Sequence, residues 1–277
     1  MSAPPALTPP DPEALVELAG DVAGQAVRLL LDGLGRARVS VETKSSATDM
    51  VSEMDRAAEQ LIVSALLAER PHDGMVGEEG SATDGTSGLR WVIDPLDGTT
   101  NYLYGHPGWA VSIAAEDAAG VVAGVVADAV HAEVFTATRL GGARRNGVPI
   151  ACSTRDDLAT ALVGTGFGYG VERRRAQGEV LAGLLPRVRD IRRMGAAAVD
   201  LCSVACGRLD AFFEHGLAWW DLAAGALVAT EAGAVVSSLT GAAHLPAMSL
   251  RASSRCGWYP ERFWGAGRST SAIQVPN

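Results

Sequence analysis

The residues with the clearest chemical potential lie in Trp91-Val92-Ile93-Asp94-Pro95-Leu96-Asp97-Gly98-Thr99-Thr100-Asn101-Tyr102. An apolar run ends in two carboxylates, with a proline between them and a glycine after them. The run predicts a strand over 89–93 that carries Asp94 at its C-terminal end. Pro95 removes a ladder donor and is expected to break the strand. Gly98 permits a tight turn, so Asp94 and Asp97 can converge with the Leu96 carbonyl between them. Such hard oxygen ligands suit Mg²⁺ better than zinc. Taken alone, the same run reads equally well as a solvated Asp-Pro and Asp-Gly turn.

Further acids bear on that choice. Glu78 follows a short predicted strand, in the Gly77-Glu78-Glu79-Gly80 turn. Asp221 stands beside Trp219 and Trp220, ahead of an Ala-rich helix, where it could equally be a helix cap. Asp49 and Asp55 lie near the start of the second predicted helix, and Asp55 could be the partner of Ser52 in a variant capping box. Cys-x₅-Arg spacing occurs at Cys202 to Arg208 and at Cys256 to Arg262, but Cys202 falls in a predicted apolar helix, where it reads as a small core residue, and no His lies beside a plausible triad. The chain also has no G-x-x-x-x-G-K-[ST] phosphate loop, which weighs against a kinase or nucleotide-binding module.

The elements that must position these groups follow from periodicity. Apolar residues recur at helical spacing over 15–31, closed by Gly33 and Gly35. The segment 40–52 is polar and irregular. A second helix is predicted over 54–70, with Ser52 as N-cap and Pro71 as stop. Met75-Val76 opens a strand, and 81–88 reads as a Gly-rich loop. Strands over 110–115, 121–127 and 133–138 form a meander, and Asn146-Gly147 is a hairpin turn. Beyond it the pattern alternates: strand 160–164, helix 171–185, helix 196–206, strand 209–214, helix 221–232, strand 234–237. Alternation of this kind argues for stacked helix and sheet layers. The chain divides into a loose tail (1–12), an N-terminal α+β part carrying the acidic motifs (13–151), a C-terminal α/β part that completes the site (152–247), and an atypical end (248–277).

A net charge of −9 argues against binding a phosphate backbone. The Arg173-Arg174-Arg175 run and the arginines over 187–193 read as solvated helix ends. The four cysteines match no zinc or redox spacing, and a reducing cytoplasm is the expected compartment. No stretch is long and apolar enough to span a bilayer, and the Pro-rich start does not read as a secretory signal.

Gly77-Glu78-Glu79, the 94–99 run and Trp220-Asp221-Leu222-Ala223-Ala224-Gly225 resemble the signature segments of the inositol monophosphatase family, in its order and approximate spacing. Lys44-Ser45-Ser46 with Asp49, Gly195 to Leu201, and Gly207-Arg208-Leu209-Asp210 with Glu214 extend the resemblance over roughly 41–236. It implies an α+β fold, an alternating α/β/α/β/α layered sandwich of the inositol monophosphatase and fructose-1,6-bisphosphatase type, and a homodimer. It implies a Mg²⁺-dependent, lithium-sensitive phosphomonoesterase with two or three ions. Glu78, Asp94 and the Leu96 carbonyl would hold the first ion. Asp94, Asp97 and Asp221 would hold the second, with a third, weaker ion near Glu78. Asp55 and Thr99 would orient the attacking water, alongside Glu78 as a catalytic position. Gly98 and Thr99 would offer N–H groups to the phosphate. Ala197, Glu214 and Asp221 would face the substrate, with Lys44 and Asp49 in support. Bound cations would also reverse the repulsion between an acidic site and a phosphate, and attack by a metal-activated water is favoured over a covalent phosphoenzyme.

Two departures stand out. Many members carry Thr or Ser where this chain has Ala196, which puts a substrate hydrogen bond and inositol preference in doubt. The end over 251–277 shows neither helical nor strand period, as in a diverged terminus or a shifted reading frame, and is expected to be irregular. Myo-inositol 1-phosphate is the leading substrate. Histidinol phosphate is the first rival, followed by fructose 1,6-bisphosphate and 3′-phosphoadenosine nucleotides. A non-catalytic, partner-binding homologue would be expected to have lost a metal ligand, and none is lost.

Overall fold

The computed structural model describes residues 11–34, 41–43, 50–238 and 249–253. Lys44 and Asp49 lie outside the described residues, as do most of the tail and of the atypical end. Helix α1 (Pro12–Gly33) starts where Asp11 accepts the Glu13 N–H at 3.1 Å, with Pro12 in the first turn. Strands β1 (Val41–Thr43) and β2 (Met50–Ser52) pair antiparallel within the segment expected to be irregular. Helix α2 (Glu53–Glu69) follows; the side chain of Ser52, its expected cap, is outside the described set.

An eight-stranded sheet comes next: β3 (Gly74–Gly77), β4 (Ala82–Thr83), β5 (Arg90–Asp97), β6 (Ala110–Asp117), β7 (Gly120–Asp128), β8 (Glu133–Thr138), β9 (Gly142–Arg145) and β10 (Val148–Pro149). Its order is β10-β9-β8-β7-β6-β5-β3-β4, with β3 parallel to β5 and the other pairs antiparallel. A short helix α3 (Thr99–Tyr104), absent from the sequence reading, follows β5.

The second half holds β11 (Leu162–Thr165), α4 (Val171–Leu184), β12 (Asp190–Arg192), α5 (Ala197–Ala205), β13 (Ala211–His215), α6 (Trp219–Glu231), β14 (Val235–Ser237) and β15 (Ser249–Ser253). Its sheet runs β12-β11-β13-β15-β14, with β15 antiparallel to both neighbours. Residues 251–253, expected to be irregular, are thus an interior strand. Their Ser-Leu-Arg-Ala-Ser context alternates polar and apolar residues over only five positions, and backbone pairing on both sides fixes the strand.

Side-chain alternation sorts the layers. Trp91 and Ile93 of β5 join Leu15, Ala19, Ala26 and Leu30 of α1 and Ala58, Ile62 and Leu66 of α2 in one core. Val92 points the other way, into a core with Ala198 and Leu201 of α5 and Leu222 and Val228 of α6. Phe212 of β13 closes that core from the second sheet, while Val163 and Ala211 meet Leu184 of α4 on its far face. The layers are α1/α2, first sheet, α5/α6, second sheet, α4: the expected α/β/α/β/α sandwich. Among the described residues no helix is long and apolar enough to cross a membrane.

Candidate active site

Strand β5 does not stop at Pro95. Asp94 pairs with Ser112 and Asp97 with Ala110, so three steps on β5 match two on β6. This is a β-bulge. In a regular strand, residues three apart face opposite sides of the sheet. The extra residue cancels that inversion and turns Leu96 into the α1/α2 core, fully buried. Asp94 and Asp97 both turn toward the middle helix layer, where Asp97 meets α5 and Asp94 meets Asp221 of α6. Pro95 therefore marks an irregularity within the strand, not its end.

The turn beyond is built for close approach. Gly98 has φ +90°, and a Cβ there would lie 2.6 Å from the Gly108 carbonyl oxygen. Only glycine meets both conditions. Thr99 opens α3 and donates its hydroxyl to the Leu96 carbonyl at 3.1 Å, joining two residues singled out from the sequence. The first N–H groups of α3 have no acceptor within the helix. Asn101, which sequence reasoning passed over, donates to the carbonyls of Gly108 (2.6 Å) and Met194 (2.7 Å) and ties this turn to the approach to α5.

Four more elements complete the cluster. Parallel pairing sets Gly77 beside Ile93, so Glu78, one residue on, stands level with Asp94; its N–H reaches the Ile93 carbonyl at 3.2 Å. Asp55 is buried in the first turn of α2. Asp221, third in α6, accepts the Ala218 N–H at 2.6 Å. It also stands close to the Asp94 carboxyl, whose pKa its charge helps to raise. Glu214, on β13, lies over Gly166, where an added Cβ would come 1.9 Å from its Oε2.

The electrostatics follow from burial and like charge. Burial holds Asp94 well above the usual carboxylate range, with Glu78, Asp97, Asp221 and Asp55 adding to the effect. Burial lifts Asp221 to about 8, aided by Asp97 and Glu78. Burial lifts Asp97 to about 7 against the pull of the Ala198 and Ala197 N–H groups. Glu214 is raised to about 7 by burial, opposed by Arg193 and reinforced by Asp221.

Two acids not singled out from the sequence also belong here. Asp200, on α5, is fully buried and held high by burial, with Glu214 and Asp97 contributing; its Oδ1 has no hydrogen-bond partner among the described residues. Glu59 is buried one turn beyond Asp55. The available signal was an acid on the apolar face of a helix.

Not every expected contact takes the expected form. The Ala197 N–H is engaged by Asp97 at 3.1 Å. Ala196 begins α5 without a side-chain cap, and its Cβ abuts the Gly98 turn. Among the described residues no three acidic, His or Cys side chains close on one point at ligand distance. Asp97 faces the α5 N-terminus, and Asp94 and Asp221 face each other. The donor set nevertheless fits a hard divalent cation: it is all oxygen, largely buried and short of compensating positive charge.

A family model, the inositol monophosphatase family, matches residues 11–264. Inositol-1-monophosphatase SuhB of Mycobacterium tuberculosis is 47% identical over 206 residues, 71% of this chain and 71% of that protein. Nus factor SuhB of Pseudomonas aeruginosa is 42% identical over 235 residues, 83% of this chain and 87% of that one. The crystal structure of extragenic suppressor protein suhB from Bartonella henselae superposes with TM-score 0.85 at 34% identity, covering 92% of this chain and all of that one. Matched in sequence over nearly its whole described length and in fold, this chain belongs to the inositol monophosphatase family, whose members are generally metal-dependent, and is a phosphoric monoester hydrolase.

Proposed function

We propose that the chain hydrolyses the phosphate monoester of a small polyol, with myo-inositol 1-phosphate the leading substrate and Mg²⁺ the cofactor. The observation that carries this reading is the buried pair Asp94 and Asp97 with the half-buried Asp221, Asp94 level with Glu78, beside a further half-buried carboxyl, Glu214, raised to about 7. Glu78, Asp94, the Leu96 carbonyl, Asp97 and Asp221 would hold two or three Mg²⁺ ions. When bound, they supply the positive charge that lets a phosphate approach this cluster and that lowers the pKa of a water.

The chain's own groups do the rest. The Gly98 and Thr99 N–H groups at the start of α3 bind phosphate oxygens. Thr99 Oγ1, anchored on the Leu96 carbonyl, and Asp55 orient the attacking water. Glu214 and Asp221 accept hydrogen bonds from substrate hydroxyls, which fixes the leaving oxygen relative to the phosphate. Positioning and charge neutralisation are most of what phosphoryl transfer asks of a protein. With Ala196 in place of a hydroxyl, substrate recognition rests more heavily on Glu214.

A phosphate-release panel with Mg²⁺ tests this, covering inositol 1-phosphate, histidinol phosphate, fructose 1,6-bisphosphate and 3′-phosphoadenosine 5′-phosphate. Inositol 1-phosphate should give the highest kcat/KM. A preference for histidinol phosphate would reassign the substrate within the same chemistry. No turnover of any substrate would overturn the reading. We place the protein in the cytoplasm as a homodimer, testable by fractionation and light scattering. The 42% identity to a Nus factor SuhB favours one second reading, a role in a transcription complex alongside hydrolysis. The net charge of −9 directs that reading to a protein partner more than to nucleic acid. Co-purification of the Asp94→Asn protein with RNA polymerase and its factors would separate binding from catalysis.

A further inference from the structure

Helix α2 carries two buried acids on one face, Asp55 and Glu59, four residues apart. Asp55 contributes to the carboxylate cluster through its charge on Asp94. Glu59 points instead at the turn that carries Glu78. Its Oε2 accepts the Glu79 N–H at 2.8 Å, and its Oε1 accepts the Ser81 N–H at 2.9 Å and the Ser81 hydroxyl at 2.6 Å. Three donors on one buried carboxylate make charge-assisted bonds, the stronger class.

The turn is shaped around that carboxylate. A Cβ on Gly77 would lie 2.3 Å from Glu59 Oε2, so the carboxylate lies directly against the Gly77 backbone. The Gly77 N–H reaches back to the Ser81 carbonyl at 2.7 Å, and Gly80 takes φ +105° to close the turn. On its other side the turn is tied to β5 through the Glu78 N–H and the Ile93 carbonyl. Glu78 is thus held between two fixed points: β5, which supplies Asp94, and α2, which supplies Glu59.

Resting on the cation-binding reading above, we infer that Glu59 is a positioning residue that presets Glu78 for the cation. It touches neither substrate nor reacting atoms. It bonds the backbone just after one ligand and lies against the Gly77 backbone just before it, so its contribution appears in metal affinity and not in the chemical step. Outer-shell groups of this kind change metal affinity by about 10–100-fold when altered. A glutamine cannot replace Glu59: its amide nitrogen would face donors on one side of the carboxyl.

The test is a Mg²⁺ titration of the full-length protein and of Glu59→Gln. Initial rate gives the half-saturating Mg²⁺ concentration and kcat, and calorimetry without substrate gives metal affinity directly. The expected result is a rise of about tenfold or more in half-saturating Mg²⁺, a matching loss of calorimetric affinity, and a kcat at saturating Mg²⁺ within about threefold of the parent. Unchanged metal affinity, or a loss confined to kcat, overturns the inference. If Glu59→Gln does not fold, Ser81→Ala, which removes only the 2.6 Å hydroxyl bond, decides: a smaller rise supports the role and no rise overturns it. If the parent protein needs no divalent cation, the cation reading itself fails. The clamp is then judged by hydrogen exchange at the Glu79 and Ser81 amides, whose protection should drop in Glu59→Gln.

Discussion

Asp97 and Ala198 stand 101 residues apart in sequence, yet the Ala198 N–H donates to the Asp97 carboxylate at 2.6 Å. The neighbouring Ala197 N–H donates to its other oxygen at 3.1 Å. A carboxylate of the first sheet thereby satisfies the open N-terminus of α5, a helix whose own first residue has no capping side chain. Asp97→Asn keeps one acceptor and loses the charge. At about pH 5, where the raised Asp97 carboxyl is protonated and no buried charge is relieved, stability should fall by about 1 kcal/mol, the typical size of a lost helix cap, and metal affinity at neutral pH should fall as well. Thermal unfolding in chelator reads the first effect separately from the second.

Asp94→Asn tests the centre of the cluster. Asp94 is buried and feels the charge of four carboxylates, Glu78, Asp97, Asp221 and Asp55. Turnover should drop on the order of 10²–10³-fold, as when a preorganised electrostatic group is lost. Circular dichroism should be unchanged. Retained Mg²⁺-dependent activity would remove Asp94 from the site.

Glu214→Gln separates substrate recognition from phosphoryl chemistry. If Glu214 accepts bonds from polyol hydroxyls, kcat/KM for inositol 1-phosphate should fall about 10–100-fold, the range for a hydrogen bond to a charged group. Hydrolysis of p-nitrophenyl phosphate, which has no hydroxyls to bind, should change much less. Equal losses on both would show that Glu214 serves folding.

The raised carboxyls fix the sign of the pH dependence. Asp97 and Glu214 sit near 7 and Asp221 near 8 in the folded protein, against about 4 unfolded. Each therefore binds its proton more tightly when folded. The stability this contributes is fully present below about pH 4 and is lost as pH rises through 7 to 8. In chelator, these groups should make Tm decline between about pH 5 and 8 and add no further loss above it, apart from any acid-side loss from other groups. Added Mg²⁺ should restore it most at the alkaline end, since binding releases these protons. A Tm in chelator that climbs across that window would contradict the raised values.

Cation removal completes the set. Exhaustive chelation should abolish activity and Mg²⁺ should restore it. Millimolar Li⁺, against KCl of equal ionic strength, should lower the rate: a small monovalent ion fits an oxygen site but neutralises less charge. Full activity after chelation would refute metal dependence, whereas indifference to Li⁺ would withdraw only the lithium expectation.

Much of this acidic cluster is legible in the sequence, because its carboxylates sit in short motifs. Glu78, Asp94 and Asp221 were found that way, and the structure brings them together. The bulge was not legible. Asp94-Pro95-Leu96-Asp97 reads as a broken strand, since propensity says what proline disfavours and nothing about the register of β6. Helix α3 was hidden by its brevity, and so was β15, whose alternation rests on Leu250 and Ala252 alone. Glu59 and Asp200 were missed for one reason. An acid inside a helix looks like surface charge until the packing of that face is known.

Strand β15 has a consequence for how the molecule is made. It lies between β13 and β14, with Leu250 opposite Glu214 and Ala252 opposite both Phe212 and Val236. The first sheet needs nothing synthesised after Pro149 to complete its pairing. The second cannot close until Ser249–Ser253 have left the ribosome. A nascent chain can therefore assemble the acidic strand ends early, while the strand bearing Glu214 keeps an open edge until Ser249–Ser253 emerge. A stop codon shortly before Ser249 would leave β13 and β14 without their shared partner, exposing an aggregation-prone edge on an otherwise assembled first sheet.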